Sequence, residues 1–360
     1  MDPNPVVQSS QQPVHSAQTV GLSSGRPPRA QRGCLLSTAL IVLLLVGLGG
    51  SLLVNLGLLA FVSMGGGSDR RVHERHFSHT TAAPDKVAIL RLEGVILEGE
   101  GFLKRQIDQA RADKSVKAVV LRVNSPGGTI TGSDAIYHRL AKLASERGIP
   151  LVVSMGGIAA SGGYYVSMAV GSRPETIFAE PTTWTGSIGV IIPHYNAEDL
   201  MQKVGVKQDS VVSHRLKGMG TVTRKMTGEE QKIFQGLVDA GFARFKDVIK
   251  QGRPKFMADP AALEKLSTGQ VFTAAEAVDN GLIDKVGYLE DAVDQAIKLA
   301  GLSPEKVDVV EYRSEPSLAQ LLLGAQSRPG PFDPAALLEM TVPRAYYLCT
   351  WLPPAFSVGE

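Results

Sequence analysis

The feature that most constrains this chain is an uncharged stretch of 30 residues, Leu35 to Met64. About 20 apolar residues in a helix span the hydrocarbon core of a bilayer, and this stretch is longer than that. A cleaved secretory leader has a shorter apolar region that lies closer to the N-terminus. We therefore predict a single transmembrane anchor over residues 34–64.

The charges do not fix which way this anchor points. The positive-inside rule compares lysines and arginines on the two sides of a span, and here the counts are equal. The arginines in question are Arg26, Arg29 and Arg32 before the span and Arg70, Arg71 and Arg75 after it. The net charge of the whole chain is only +2, so composition gives no argument for a nucleic-acid partner. The two cysteines, Cys34 and Cys349, suggest neither a disulfide framework nor a metal site.

The other segments differ in composition. Residues 1–33 are rich in Pro, Gln, Ser and Gly and are predicted to be a disordered tail. Residues 65–85 begin with a Gly-Gly-Gly-Ser run and are interpreted as a linker; their three histidines lack the supporting ligands of a metal site. Residues 86–300 are the main folded domain. Residues 301–360 are an extension of uncertain structure, with a predicted strand at 307–312, a short helix at 318–323 and an apolar tail at 346–356 that docks on a neighbour or the membrane.

Strand and helix patterns alternate through the first half of the main domain. Apolar runs typical of strands cover 87–92, 116–123 and 151–155, and amphipathic helical patterns cover 102–111 and 133–147. This alternation predicts an α/β fold with a mostly parallel sheet and crossover helices. Functional sites in such folds lie at the carboxyl ends of the strands.

Two glycine-rich turns follow successive strands directly, at residues 124–128 and 159–163. Both should therefore lie on the same rim of the sheet. The second turn contains Ser161 at a strand-to-helix junction, where small neighbours expose a nucleophile and helix N–H groups can stabilise an oxyanion. Ala-Ser-Gly-Gly at such a junction is equally compatible with a plain tight turn.

A serine nucleophile needs a base. The histidines of the main domain are His138, His194 and His214, and none has a companion motif that marks a Ser-His-Asp triad. A lysine can serve when it is buried and held by hydroxyl groups without a carboxylate partner. Lys217 has no acidic residue within several positions and glycines just after it, but a surface lysine in a loop fits the same pattern.

Several motifs together resemble the signal peptide peptidase A family over residues 86–300. They are Asn124-Ser125-Pro126-Gly127-Gly128, Ala159-Ala160-Ser161-Gly162-Gly163-Tyr164-Tyr165, Thr185-Gly186-Ser187-Ile188-Gly189-Val190, Lys217-Gly218-Met219, Gly269-Gln270-Val271-Phe272-Thr273-Ala274 and Gly281-Leu282-Ile283-Asp284. The motifs occur in the family's order and at near-family spacing, and the length of the chain resembles that of the short, single-core form with one N-terminal anchor.

The resemblance implies a Clp-protease/crotonase-like fold and a serine endopeptidase with a Ser–Lys dyad. Ser161 is then the nucleophile, Lys217 the general base and Ser187 the hydroxyl that hydrogen-bonds the lysine. Gly128 and Gly162 are the implied oxyanion donors. No metal or other cofactor is implied.

The same resemblance implies the cellular setting. The substrates are remnant signal peptides or similar apolar peptides, and the chain is expected to form a homo-oligomer ring. It should sit in the inner (cytoplasmic) membrane with the catalytic domain on the extracytoplasmic side.

Three alternatives remain open from the sequence. A Ser–Lys protease of the same fold could trim stomatin-like membrane proteins. A crotonase-like acyl-CoA enzyme would use the glycine turns for a thioester oxyanion but would have no need of Lys217. A non-catalytic scaffold would have no need of the combined Ser161, Lys217 and Ser187.

Overall fold

The computed structural model describes residues 32–65, 72–314 and 346–348. The contacts divide the chain into two units, Met1–Gly67 and Ser68–Glu360. Within these ranges, the side chains of residues 32–39, 58–65 and 348 are not described. The predicted tail up to residue 31 and the predicted helix at 318–323 lie outside the described residues, as does Cys349.

The first unit contains one long helix, α1, from Arg32 to Gly65. Its length and apolar composition are sufficient to cross a membrane, and the candidate membrane-spanning segment is Leu40–Gly57. The side chains in that segment are all exposed. The helix begins two residues before the predicted anchor, which agrees with the usual uncertainty in helix ends.

The second unit alternates strands and helices along most of its length. The strands are β1 Val72–His79, β2 Asp85–Glu93, β3 Val116–Ser125, β4 Gly127–Thr129, β5 Leu151–Ala160, β6 Ile177–Ala179, β7 Trp184–Gly186, β8 Val271–Thr273, β9 Lys285–Val286, β10 Val307–Ser314 and β11 Tyr346–Leu348. The helices are α2 Phe102–Ala112, α3 Ile130–Arg147, α4 Gly162–Ser167, α5 Glu198–Lys203, α6 Gly228–Gly252, α7 Lys255–Ala258, α8 Pro260–Leu266, α9 Ala274–Asp279 and α10 Leu289–Leu299.

The main sheet is mostly parallel, as predicted. Among the described residues its order is β1-β10-β2-β3-β5-β6-β9, with β7 beside the end of β5 and β8 beside β7. The pairs β10–β2, β2–β3, β3–β5, β5–β6, β5–β7 and β6–β9 are parallel, and β1–β10 and β7–β8 are antiparallel. The predicted elements between residues 87 and 155 are confirmed, and β5 runs on to Ala160.

Both faces of the sheet are covered, because successive side chains of a strand point to opposite sides. On β2, Val87 and Ile89 join a cluster with α10, whereas Ala88, Leu90 and Leu92 join the larger cluster with α2 and α3. The central strands are therefore apolar at nearly every position, which is the pattern of a parallel sheet buried on both faces. This double burial holds the carboxyl ends of β3 and β5 in fixed positions.

The edge of the sheet departs from the sequence interpretation. Residues 72–79, interpreted as part of a linker, form the antiparallel edge strand β1 against β10. Its side chains are polar except at Val72 and Phe77, and Phe77 packs on the core. His76 Nδ1 lies 2.8 Å from Asp308 Oδ1, so one of the histidines contacts a carboxylate of the next strand. A polar edge strand resembles a linker in sequence because one of its edges faces solvent.

A core substitution on β3 tests this double burial. Leu121 is fully buried in the larger cluster, so Leu121→Ala should lower the free energy of unfolding by about 2–5 kcal/mol through lost contacts and a cavity. Lys117→Ala on the same strand removes an exposed side chain with a weak ion pair and should cost less than about 0.5 kcal/mol. Urea unfolding of the detergent-solubilised chain measures both. Equal losses for the two variants would contradict the assigned core.

Candidate active site

Ser161 lies at the junction between β5 and α4 in a strained backbone conformation. Its φ is 54° and its ψ is −113°, a region that non-glycine residues rarely adopt. Its N–H donates to the Gly186 carbonyl at 2.7 Å, and its carbonyl accepts from the Tyr165 N–H at 2.8 Å. The conformation is therefore held from both sides by backbone hydrogen bonds.

The hydroxyl of Ser161 is buried and unpaired. The residue is 1% exposed, and its Oγ has no hydrogen-bond partner within the described part of the chain. Buried polar atoms are nearly always paired, and exceptions occur at catalytic positions because the group is kept for the reaction. This buried hydroxyl is therefore free of the hydrogen bonds that would hold it in a purely structural turn.

The two glycine turns meet beside this serine. A Cβ at residue 162 would lie 2.5 Å from Ser133 Oγ and 3.1 Å from the Gly128 nitrogen, and a Cβ at residue 128 would lie 1.9 Å from the Ile96 carbonyl oxygen. Only glycine fits at either position. The structure thus places the N–H groups of Gly128 and Gly162 on one rim, as expected from the strand order.

Ser187 directly follows β7, just as Ser161 directly follows the neighbouring strand β5. Ala160 on β5 pairs with Gly186 on the parallel strand β7. Ser161 and Ser187 are the next residues along the two strands, so they lie side by side. Neighbouring strands are about 4.8 Å apart. Ser187 is 6% exposed, has a φ of 51° and donates its N–H to the Gln270 carbonyl at 2.7 Å.

Lys217 is not part of this cluster in the single chain. It lies on a 3-10 turn, Arg215–Gly218, and its side chain is exposed. No hydrogen bond joins it to Ser161 or Ser187 among the described contacts. The sequence argument required a buried lysine held by hydroxyl groups, and the structure instead leaves it on a surface segment. Residues 202–214, just before the turn, are exposed throughout.

The histidines of the main domain also lie away from the serine. His138 is exposed on α3, and His194 Nε2 lies 3.2 Å from the Thr221 carbonyl. His214 Nδ1 accepts from the Leu216 N–H at 3.3 Å. None of the three hydrogen-bonds Ser161 in the described residues, so the geometry offers no support for a histidine base.

The turn that carries Lys217 is tied to the start of α6. Arg224 donates to the Gly218 carbonyl at 3.2 Å and to the Glu230 carboxylate at 2.9 Å. The hydrogen bond from Arg224 and that from the Thr227 N–H hold the pKa of Glu230 well below its usual range. Glu230 and Thr227 also form the capping box of the helix.

The short strand β11, which lies beside the glycine turns, was not predicted from the sequence. β11, Tyr346–Leu348, pairs antiparallel with β4 of the same chain, and the rest of the predicted apolar tail, residues 349–356, lies outside the described residues. Tyr347 is fully buried, and its hydroxyl donates to the Gly241 carbonyl at 2.7 Å. The sequence signal was a pair of β-forming aromatics in an apolar tail, which carries no information about the strand it pairs with.

The chain is similar to several known proteins. Residues 144–303 match the family described as peptidase family S49. A putative signal peptide peptidase SppA of Enterococcus faecium is 37% identical over 246 residues, which are 65% of this chain and 69% of that protein. A putative protease of Synechocystis is 34% identical over 251 residues, or 69% of this chain and 86% of that protein. The chain belongs to peptidase family S49.

Other S49 relatives are much longer. Protease 4 of Salmonella typhi is 35% identical over 249 residues, which are 67% of this chain but only 38% of that protein. Among solved structures, a ClpP1 mutant from Listeria monocytogenes matches with a TM-score of 0.38 and 15% identity, over 57% of this chain and 94% of that one.

Substitution of Glu230 tests how the segment with Lys217 is held. Glu230 is 2% exposed, and Glu230→Gln removes its charge-assisted hydrogen bonds with Arg224. The free energy of unfolding should therefore fall by about 1–2 kcal/mol at neutral pH. The low pKa of the folded carboxyl means that its contribution is present above the ordinary carboxyl range and is lost as pH falls towards the folded value. The difference between wild type and variant should shrink over that acid range.

Glu229→Gln is the matched control. Glu229 pairs with Arg215 at the surface, with 45% of its side chain exposed, so its loss should change stability by less than about 0.5 kcal/mol at any pH. Urea unfolding at several pH values distinguishes the two variants. A Glu230→Gln effect that does not change with pH would show that the charge is unimportant.

Proposed function

We propose that this S49 protein is a membrane-anchored serine endopeptidase in which Ser161 is the nucleophile and Lys217 the general base. The observation that carries the proposal is the unpaired, buried Ser161 hydroxyl in a strained junction between two glycine turns. A structural turn has no need of such strain, whereas a nucleophile has to be presented at a fixed angle.

The proposed reaction uses these residues as follows. The unprotonated amine of Lys217 accepts the Ser161 proton while Oγ attacks a peptide carbonyl carbon. The N–H groups of Gly128 and Gly162 donate to the tetrahedral oxyanion. The protonated lysine then donates to the leaving amine, and the C–N bond breaks to give an acyl-serine. The same amine activates a water molecule that hydrolyses the ester. The Ser187 hydroxyl orients the lysine throughout.

Lys217 has to approach the rim for this chemistry, and assembly of several copies provides a reason. The exposed segment before it carries apolar side chains in water, with Val204 64% and Val211 fully exposed. Exposed apolar clusters of this kind are typical of interaction surfaces. We infer that the chain forms a homo-oligomer in which this segment is buried and Lys217 meets a Ser161 hydroxyl.

The anchor and the relatives support a substrate class. Helix α1 is suited to a bilayer, and one relative is named a signal peptide peptidase. The site is therefore proposed to face the extracytoplasmic side of the inner membrane and to hydrolyse remnant signal peptides or similar apolar peptides. Extended apolar segments suit a site that is lined by strand edges.

The dyad is tested by single and double substitution. Ser161→Ala and Lys217→Ala should each reduce kcat on a fluorogenic peptide by at least about 10³-fold, and the double variant should be no worse, because the two residues act as a unit. Ser145→Ala and Lys298→Ala change exposed residues of the same types and should keep wild-type rates. Full activity of Lys217→Ala would refute the assignment of the base.

Mixing the two inactive variants shows where the lysine comes from. If neighbouring copies exchange these residues, co-assembled Ser161→Ala and Lys217→Ala chains should regain part of the activity. If each copy uses its own lysine, the mixture stays inactive.

Topology is tested by protease accessibility. The proposed orientation leaves the N-terminal tail in the cytoplasm, so protease added to spheroplasts should remove an epitope after Glu360 and spare one before Leu35. Permeabilised cells are the control, in which both epitopes should be lost. The reverse pattern would place Ser161 in the cytoplasm and would rule out the signal-peptide role.

A further inference from the structure

A short backbone segment, residues 94–97, runs along one edge of β4, and we call it the backing segment. Ile96 donates its N–H to the Gly127 carbonyl at 2.8 Å, and its carbonyl accepts from the Thr129 N–H at 2.7 Å. These two hydrogen bonds make Ile96 the parallel partner of Gly128. In such a pair the N–H of the bridged residue points to the opposite edge of its strand. The backing segment therefore sets the direction of the Gly128 N–H.

Two buried hydroxyl groups hold the two ends of the backing segment. Ser125 Oγ donates to the Gly94 carbonyl at 2.6 Å, and Thr129 Oγ1 donates to the Leu97 carbonyl at 2.8 Å. Ser125 is fully buried and Thr129 is 6% exposed. The two donors flank Ile96 along the chain, so the segment cannot leave β4 without breaking a hydrogen bond that water does not replace.

Each of these hydroxyls also accepts a hydrogen bond from the backbone. The Gly127 N–H donates to Ser125 Oγ at 3.1 Å, and the Gly132 N–H donates to Thr129 Oγ1 at 3.0 Å. A hydroxyl has one proton and two lone pairs, so it can donate and accept at once. Ser125 thus joins the backing segment to the glycine turn, and Thr129 joins it to the start of α3, where it is the N-cap.

The backbone of Ser125 also packs against the start of α4. A Cβ at residue 163 would lie 2.7 Å from the Ser125 carbonyl oxygen. Ser125 pairs with Ala159 across β3 and β5, two residues before the proposed nucleophile Ser161. A shift of Ser125 therefore disturbs both glycine turns, and with them the spacing between Ser161 and the Gly128 N–H.

We propose that Ser125 and Thr129 are positioning residues, whose hydroxyls fix the backing segment against β4 and so hold the Gly128 N–H in the direction that an oxyanion requires. The inference rests on the proposed peptidase function and adds two residues to it. Both hydroxyls act through the backbone and not on the substrate itself. A preorganised donor stabilises the transition state more than the bound substrate. Loss of either hydroxyl should therefore lower kcat and leave KM nearly unchanged.

Steady-state kinetics of the full-length protein in detergent test both residues. Ser125→Ala and Thr129→Val should each lower kcat on a fluorogenic peptide about 10- to 100-fold, because a displaced donor misses the developing charge. KM should change by less than about 2-fold. Thr129→Ser, which keeps a hydroxyl, should recover most of the loss seen in Thr129→Val. Ser154→Ala is the matched control, since this serine on β5 is equally buried but accepts from Arg122 instead, and it should keep the wild-type kcat.

A transition-state mimic separates positioning from a general loss of structure. With an apolar peptide boronic acid, the Ser161 Oγ–boron bond forms, no bond to boron breaks and the serine proton passes to Lys217, which leaves a tetrahedral anionic boronate. Its affinity should fall in Ser125→Ala by the same factor as kcat/KM. The same peptide as a C-terminal amide, bound to Ser161→Ala with and without Ser125→Ala, should keep its affinity.

Three results would overturn the inference. One is a wild-type kcat in both hydroxyl variants, and another is an equal loss of affinity for the boronate and the amide. Should Ser125→Ala fail to fold, as judged by its melting curve, Thr129→Val and Thr129→Ser carry the comparison. An equal kcat for those two variants is then the third.

Amide hydrogen exchange tests the two hydroxyls without catalysis. Exchange over residues 94–98 and 127–132 should become at least about 5-fold faster in Ser125→Ala and stay unchanged in Ser154→Ala. If exchange responds in this way but wild type hydrolyses no peptide and binds no boronate, the hydroxyls hold the turn and the peptidase assignment is wrong. If wild type hydrolyses peptides and the hydroxyl variants keep its kcat, the peptidase stands and the positioning role is wrong.

Discussion

The close approach of two backbone turns, at Gly127–Gly128 and at Gly162, is the contact on which the rest of the site depends. A side chain at either position would collide with backbone or with a buried hydroxyl within 2.5 Å. Because the turns are in contact, two N–H groups come together beside one serine. β4, which contains Gly127 and Gly128, also pairs along one edge with β11. Glycine is needed here for space as well as for conformational freedom.

The parallel sheet determines where the two turns meet. β3 and β5 are adjacent parallel strands, so their carboxyl ends deliver both glycine turns to the same rim. β7 extends the rim on the far side of β5 and adds Ser187 beside Ser161. Helices cover both faces of the central strands, and the strand ends cannot shift without disturbing two cores. Three segments far apart in sequence therefore meet at one place.

The features that the sequence predicted depend on local patterns, whereas those that it missed depend on contacts between residues far apart in the chain. The central strands, their helices and the shared rim follow from local apolar patterns and from the rule for parallel strands, so they were predictable. The pairing of β1 with β10 and of β11 with β4 joins residues more than 200 positions apart, and polar or short segments give no signal for such partners. Lys217 shows a different limit, because a sequence motif does not say where the side chain lies: it is exposed and makes no hydrogen bond to Ser161 among the described contacts.

The strain at the rim explains why the sheet rather than a loop holds the site. Ser161 and Ser187 both have positive φ, and each such residue costs about 1–3 kcal/mol. Each is held by a backbone hydrogen bond of 2.7 Å, from Ser161 to Gly186 and from Ser187 to Gln270. Gly186 precedes Ser187, and Gln270 precedes β8, so the two strained serines are linked through one ladder of strands. A loop without such strand pairing would let both residues relax to ordinary backbone angles, and the two serines would lose their fixed positions at the ends of β5 and β7.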